Sequence, residues 1–300
     1  MSLESSIPTS KKRKLGLLER LPAWLKRPGG SAKETHELKR LLRKSALNTV
    51  CEEARCPNIS ECFGRGTATF MILGDICTRG CRFCSVTTGK PAMAMSEFAS
   101  EGERVAEAAE RLSLKHVVVT SVARDDLADG GASGFVETIG AVKRRLPGVT
   151  IEVLVPDFRG NLSSVDTILS ANPDVFNHNL ETVPRLYRRV RPGANYQRSL
   201  DVLQRAASAA SCIVKTGVML GLGERQAELA DLMDDCLSHG VSSFTAGQYM
   251  RPSKRHLPVA EYLSPERFEE IAAIARGKGF SFVAAAPLVR SSYNAEEFLR

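Results

Sequence analysis

Six times between residues 69 and 284 a short apolar, β-branched run is followed by an amphipathic stretch. TFMILGDI precedes SEGERVAEAAERLSL, KHVVVTSV precedes GGASGFVETIGAVKRRL, and TIEVLVPD precedes LSSVDTILSA. DVFNHNLE then leads to YQRSLDVLQRAASAA, CIVKTGVMLGLGE to AELADLMDDCLSHG, and SSFTAGQYM to SPERFEEIAAIARGKG. Parallel strands need a crossover between them, and an amphipathic helix supplies it while covering one face of the sheet. The alternation therefore predicts an α/β fold with a parallel sheet and external helices. Six such units suit an open, partial (β/α)6 barrel of the TIM type. A flat doubly wound sheet gives the same periodicity. In both, ligands gather at the carboxyl ends of the strands. No repeat of solenoid period is present.

The flanks read differently. Residues 1–33 form a basic, partly disordered arm with one helical patch, LGLLERLPAWLKR, before the break at Pro28, Gly29 and Gly30. Residues 34–68 are an amino-terminal extension, 69–284 the barrel, and 285–300 a carboxyl-terminal segment. The net charge of +7 is unevenly spread: residues 1–46 hold twelve Lys/Arg and four Glu, and the remaining 29 Lys/Arg face 30 Asp/Glu. The body is thus neutral overall, so nucleic acid is not an expected partner, and the basic arm is open to an acidic surface. No apolar run reaches the ~18 residues of a membrane span, and no signal-like segment opens the chain. A cytoplasmic monomer with reduced thiols is expected, and its eight cysteines are read as metal ligands or catalytic groups before disulfides.

Six of those cysteines form two triplets. Cys51, Cys56 and Cys62 are spaced C-x4-C-x5-C; Cys77, Cys81 and Cys84 are spaced C-x3-C-x2-C and follow the first predicted strand. Cys212 and Cys236 are isolated in apolar settings and read as core residues. Three local thiolates hold three irons of a four-iron cube and leave the fourth free for another ligand. A closed zinc site would need a fourth ligand per triplet, and no histidine lies between residues 37 and 115. A zinc-stabilised binding module remains the alternative from another class.

The C-x3-C-x-aromatic-C loop resembles the signature of radical S-adenosylmethionine (SAM) enzymes. The resemblance implies Cys77, Cys81 and Cys84 as ligands of a [4Fe–4S] cluster whose open iron chelates the amino and carboxylate groups of SAM. It implies reductive cleavage of SAM to a 5′-deoxyadenosyl radical that abstracts hydrogen from an unactivated carbon. TVCEEARCPNISECF, GDICTRGCRFC, VTSVARDDLADGGA, HNLETVPRL, RPSKRHLPV and PLVRSSY together, over residues 36–293, are similar in order and spacing to the lipoyl synthase family. That family implies a second [4Fe–4S] cluster on Cys51, Cys56, Cys62 and a serine of RSSY, Ser292 before Ser291. A serine oxygen is a hard ligand beside thiolates and suits a cluster that is consumed as sulfur donor.

The implied reaction inserts two sulfur atoms, at the sixth and eighth carbons of an octanoyl chain on a carrier lysine, and uses two SAM per product. The implied partners are an octanoylated lipoyl carrier domain (the glycine-cleavage carrier or an acyltransferase subunit of an oxo-acid dehydrogenase), an electron donor and an iron–sulfur carrier. By the same resemblance Phe83 and Gly221 lie near the adenine of SAM, and Asn179 and Glu181 near its ribose. Packing, a tight turn and, for His178, a satisfied core position are the competing readings. The aspartates of ARDDLADGG are expected to cap a helix rather than hold a cation. A tRNA methylthiotransferase is the alternative within the superfamily; it would call for a further cluster domain and an RNA-binding barrel.

Overall fold

A computed structural model of the chain describes residues 21–26, 40, 47–50, 58, 62, 68–92, 98, 100–209 and 211–292. Cys51 and Cys56 lie outside the described residues, as does most of the basic arm.

Among the described residues the main sheet has eight strands. A two-residue strand, β1 (Asn48–Thr49), pairs antiparallel with β2 (Thr69–Ile72). Parallel strands follow as β5 (His116–Ser121), β6 (Thr150–Leu154), β7 (Val175–Asn177), β8 (Ile213–Leu220), β9 (Ser243–Gln248) and β10 (Phe282–Ala285). Between β2 and β5, β3 (Ile76–Cys77) and β4 (Thr87–Thr88) make a separate two-stranded ladder. Helices α1 (Glu101–Arg111), α2 (Ala132–Arg145), α3 (Leu162–Ser170), α4 (Tyr187–Val190), α5 (Tyr196–Ser208), α6 (Gln226–Ser238) and α7 (Pro265–Lys278) fill the crossovers. Strand order in the main sheet follows chain order throughout, whereas a doubly wound sheet must reverse. That decides for the partial barrel. Its six βα units are those of the alternation, and a seventh parallel strand, β10, continues the sheet. Strands β1 and β10 do not pair, so the barrel is open between them.

Each strand has two unlike faces. Phe70, Ile72, Val117, Val119, Ile151, Val153, Phe176 and Phe244 are fully buried against the helices and build the apolar core. The alternate positions face the barrel interior and are largely polar: His116, Thr120, Glu152, Asn177, Lys215, Ser243 and Thr245 are all buried. Lys215 Nζ lies 3.0 and 3.1 Å from the two oxygens of Glu152, and Asn177 Nδ2 donates to Glu152 Oε1 at 2.8 Å. Burial works against the Glu152 carboxylate, but Lys215, His116 and Asn177 outweigh it and hold the group below the usual carboxylate range. The interior is therefore a bonded polar plug rather than a second oily core.

Part of the amino-terminal arm docks on this body. Leu25 is buried, and Trp24 Nε1 donates to Leu263 O at 3.1 Å. Among the described residues no helix is long and apolar enough to cross a membrane.

Candidate active site

The Cys77–Cys84 loop stands at the carboxyl end of the first barrel strand, and backbone bonds fix it on several sides. Gly89 N donates to Cys77 O at 3.0 Å and closes its base. Thr78 N donates to Ala123 O at 3.0 Å, just past β5. Arg82 N donates to Val190 O at 2.9 Å, and Leu257 N donates to Arg82 O at 3.2 Å. His256 Nε2 donates to Cys84 O at 2.8 Å, while its Nδ1 accepts from Ser253 Oγ at 2.8 Å; this pairing fixes the tautomer. Arg79 clamps the loop from within, bidentate to Asp125 at 2.7 Å and paired with buried Asp157 at 2.5 Å.

The three sulfurs are half-buried. Cys77 Sγ accepts from Arg79 N and Ala123 N, both at 3.4 Å. Burial pushes the Cys84 thiol up to about 12, and the Cys81 and Cys77 charges add to it. Burial also raises Cys81, against the pull of Arg191. The thiols thus feel one another's charge, although among the described residues no three His, Cys, Asp or Glu side chains converge on one metal point. Metal binding would release the thiol protons, and the positive charge of the metal would offset the repulsion among the thiolates. Three soft donors on one short loop, backed by amide donors, match an iron–sulfur cluster better than a hard cation.

Arg191 follows α4, is buried, and was not singled out by the sequence. Its Nη1 donates to Asn179 O at 2.9 Å, Leu180 O at 3.1 Å and the Tyr187 hydroxyl at 3.1 Å. It sets a fixed positive charge between Cys81 and Glu181. Glu181 is half-buried with φ of 68°, and burial raises its carboxyl against Arg191 and Asn179. Asn179 Nδ2 donates to Glu181 at 3.2 Å, while the buried Asn179 Oδ1 has no partner. Beside it a Cβ on Gly217 would come within 2.5 Å of Thr245 Oγ1 and 2.9 Å of Asn179 Oδ1. An unspent acceptor above a strand with no side chain is a place for a polar ligand. Glu181, bonded to Asn179, is close enough to the cysteine loop for its charge to act on Cys81.

The other candidates have structural duties. Phe83 is half-buried and packs against the main core. Gly221 has φ of +94°, and a Cβ there would come within 2.3 Å of Gln248 Nε2 and Glu261 O. Its amide donates to Glu224 Oε1 at 2.5 Å, so the glycine turn is held by its own glutamate. His178 is buried and donates from Nδ1 to Val155 O at 2.8 Å; its Nε2 has no partner. In ARDDLADGG, Asp126 pairs with Arg124 at 2.8 Å, Asp125 with Arg79, and Asp129 accepts from Gly131 N and Ser133 N at the start of α2. All three aspartates are spent, but only Asp129 serves a helix start as the capping expectation had it; Asp125 and Asp126 are ion-pair partners of arginines.

The late serine lies elsewhere. Thr69 Oγ1 donates to Ser292 Oγ at 2.9 Å, at the start of β2. Asn58, buried between Cys56 and Cys62, donates from Nδ2 to Leu288 O at 2.7 Å and accepts from Cys62 N at 2.9 Å through its carbonyl. Asn58 and Leu288 are thereby fastened across 230 residues of chain.

The family model of the radical SAM superfamily matches residues 71–236, and that of the N-terminal domain of lipoyl synthase matches residues 2–56. The lipoyl synthase of Methylococcus capsulatus is 52% identical over 280 residues, covering 93% of this chain and 86% of that protein. The chain belongs to the lipoyl synthase family. The lipoyl synthase of Caldanaerobacter subterraneus is similar to it too, at 53% identity, covering 92% of this chain and 96% of that one. Among solved structures, Streptococcus suis SuiB bound to S-adenosylmethionine overlays with a TM-score of 0.56 at 13% identity, over 84% of this chain and 60% of that one. Methylornithine synthase overlays with a TM-score of 0.53 at 14% identity, over 83% and 81%. These two share the fold alone. As a lipoyl synthase the protein is a radical SAM sulfurtransferase with a [4Fe–4S] cluster and SAM as cofactors. The methylthiotransferase and zinc-module alternatives are set aside.

Proposed function

We propose that the protein uses two [4Fe–4S] clusters to insert sulfur at the sixth and eighth carbons of an octanoyl chain held on a carrier-domain lysine. Cys77, Cys81 and Cys84 would hold the first cluster; Cys51, Cys56, Cys62 and Ser292 would hold the second. When bound, the first cluster and two SAM molecules per product supply the hydrogen-abstracting chemistry, and the second supplies sulfur. The chain's own groups position and screen. Arg191 balances the negative charge gathered at Cys81 and Glu181. Asn179 and Glu181 would take the SAM ribose, with Phe83 and Gly221 beside the adenine. The Lys215–Glu152–Asn177 plug closes the barrel beneath the site and keeps bulk water from entering there. An electron donor and an iron–sulfur carrier complete the cycle of a monomeric, cytoplasmic enzyme.

The contact that carries the two-cluster reading is Asn58 with Leu288, because it ties the loop of Cys62 to the segment of Ser292. Anaerobic reconstitution should give about eight irons per chain. Cys77→Ala should abolish SAM cleavage. Cys56→Ala should leave cleavage without sulfur insertion, read as the mass of an octanoyl-lysyl peptide. Lipoyl product from the Cys56 variant would sink the donor assignment.

A further inference from the structure

The rim of the barrel mouth carries charge that the fold does not use. Arg82, Arg188, Arg189, Lys254 and Arg255 are exposed there, and none has an ion-pair partner among the described residues. They come from three segments that the backbone binds into one surface, through Arg82 N to Val190 O and Leu257 N to Arg82 O. The His256 bond to Cys84 O fastens this surface to the cysteine loop itself. Several cations on the outer helices are paired instead. Arg144 pairs with Glu103, Arg145 with Glu110, Arg205 with Asp166 and Lys278 with Asp234. Asp125, Asp126, Asp129 and Glu224 already serve arginines or backbone amides.

Five like charges kept together and unpaired repel one another, and they steer an oppositely charged body to the cleft they surround. We propose that this basic collar docks an acidic face of the protein that carries the acyl-lysine. The inference rests on the proposed reading of the substrate as a chain borne on a carrier domain: a lysine arm must enter this mouth, so its carrier must cover the rim. A protein face suits the collar better than single-stranded nucleic acid, which is held by stacking on aromatic rings. The exposed large apolar side chains among the described residues are Leu21, Trp24 and Leu162, and none belongs to the three rim segments.

Two charge-reversal variants on different segments test this, Arg188→Glu/Arg189→Glu and Lys254→Glu/Arg255→Glu. The probe is the octanoylated glycine-cleavage carrier protein, with a short neutral octanoyl-lysyl peptide as the second substrate. Each variant should weaken the carrier Kd by about tenfold at low salt, and about 0.5 M salt should bring wild type close to the variants. Turnover of the peptide should stay at the wild-type rate in both. Carrier Kd within about twofold of wild type in both variants overturns the docking surface. So does a loss confined to a single-stranded RNA probe while carrier binding persists. The substrate reading fails separately, if wild type puts no sulfur into either carrier or peptide, because Kd is measured without turnover.

Discussion

Single side chains here act through what they are fixed against. His178 is buried, and burial together with Arg191 pushes it down to about 4. Below its ordinary value near 6.5 the unfolded chain takes up a proton that the native chain refuses. The unfolded state then binds more protons, so stability falls as pH drops from about 6.5 to about 4. Between pH 7 and pH 5 the loss from this group is about 2 kcal/mol. His178→Asn keeps a donor for Val155 O and removes the titration, so its anaerobic urea midpoint should move less between those pH values. Thr69 offers a second test. Its hydroxyl donates to Ser292 Oγ, and a donated bond steadies an oxygen ligand and its charge. Thr69→Val should release iron to a chelator faster from half of the iron pool only, and Thr69→Ser should restore the wild-type rate. The cysteine triplets could be proposed as ligand sets from the sequence because ligand spacing is local. Arg191, Asn58 and Thr69 were not, because each acquires its role from a partner brought close only by the fold; for Thr69 that partner is 223 residues away.

At the scale of elements, the carboxyl-terminal segment and β9 are built for one another. Ala286 N donates to Ala246 O at 3.2 Å, and Gln248 N donates to Pro287 O at 3.1 Å. Val289 O would lie 2.0 Å from a Cβ on Gly247. Gly247→Ala should therefore lift the 286–292 segment from the strand while the helices stay packed. Far-ultraviolet circular dichroism should be unchanged, and proteolysis near residue 290 should quicken. Inside the barrel, Lys215→Met leaves the Glu152 carboxylate buried without its counter-ion and should cost about 3–5 kcal/mol of unfolding free energy. The double variant Glu152→Gln/Lys215→Met should recover most of it. Alternation announced the six βα units because a short apolar, β-branched run followed by a helical stripe, six times over, is a strong signal. Strand β10 escaped it: FVAA is short, half alanine, and no helix follows to mark a further unit. The two-residue β1 is too short to have a period at all. The polar interior escaped for another reason. A lysine and a glutamate in strands read as solvent-facing until closure of the barrel places them in each other's reach.

Over the whole molecule, net charge proved a poor summary. The body sums to nearly zero, yet five exposed cations at the mouth have no ion-pair partner among the described residues, while Arg144, Arg145, Arg205 and Lys278 on the outer helices are matched. Averages of charge cannot register such polarity, because it depends on which acids the fold has already engaged.

Because each main-sheet strand lies beside its neighbour in sequence, the barrel can assemble by successive short-range steps. The bonds Asn58–Leu288 and Thr69–Ser292 span the whole barrel sequence and join single side chains across a side where β1 and β10 make no strand pairing. The side of the barrel between β1 and β10 is thus a weakly cooperative unit on a strongly cooperative one, and it should open without global unfolding. Native-state hydrogen exchange should find amides of residues 286–292 exchanging in mild urea long before those of β5 to β8. The protein would then have a hinge line along its own seam, able to open while the strands that carry the Cys77–Cys84 loop stay folded.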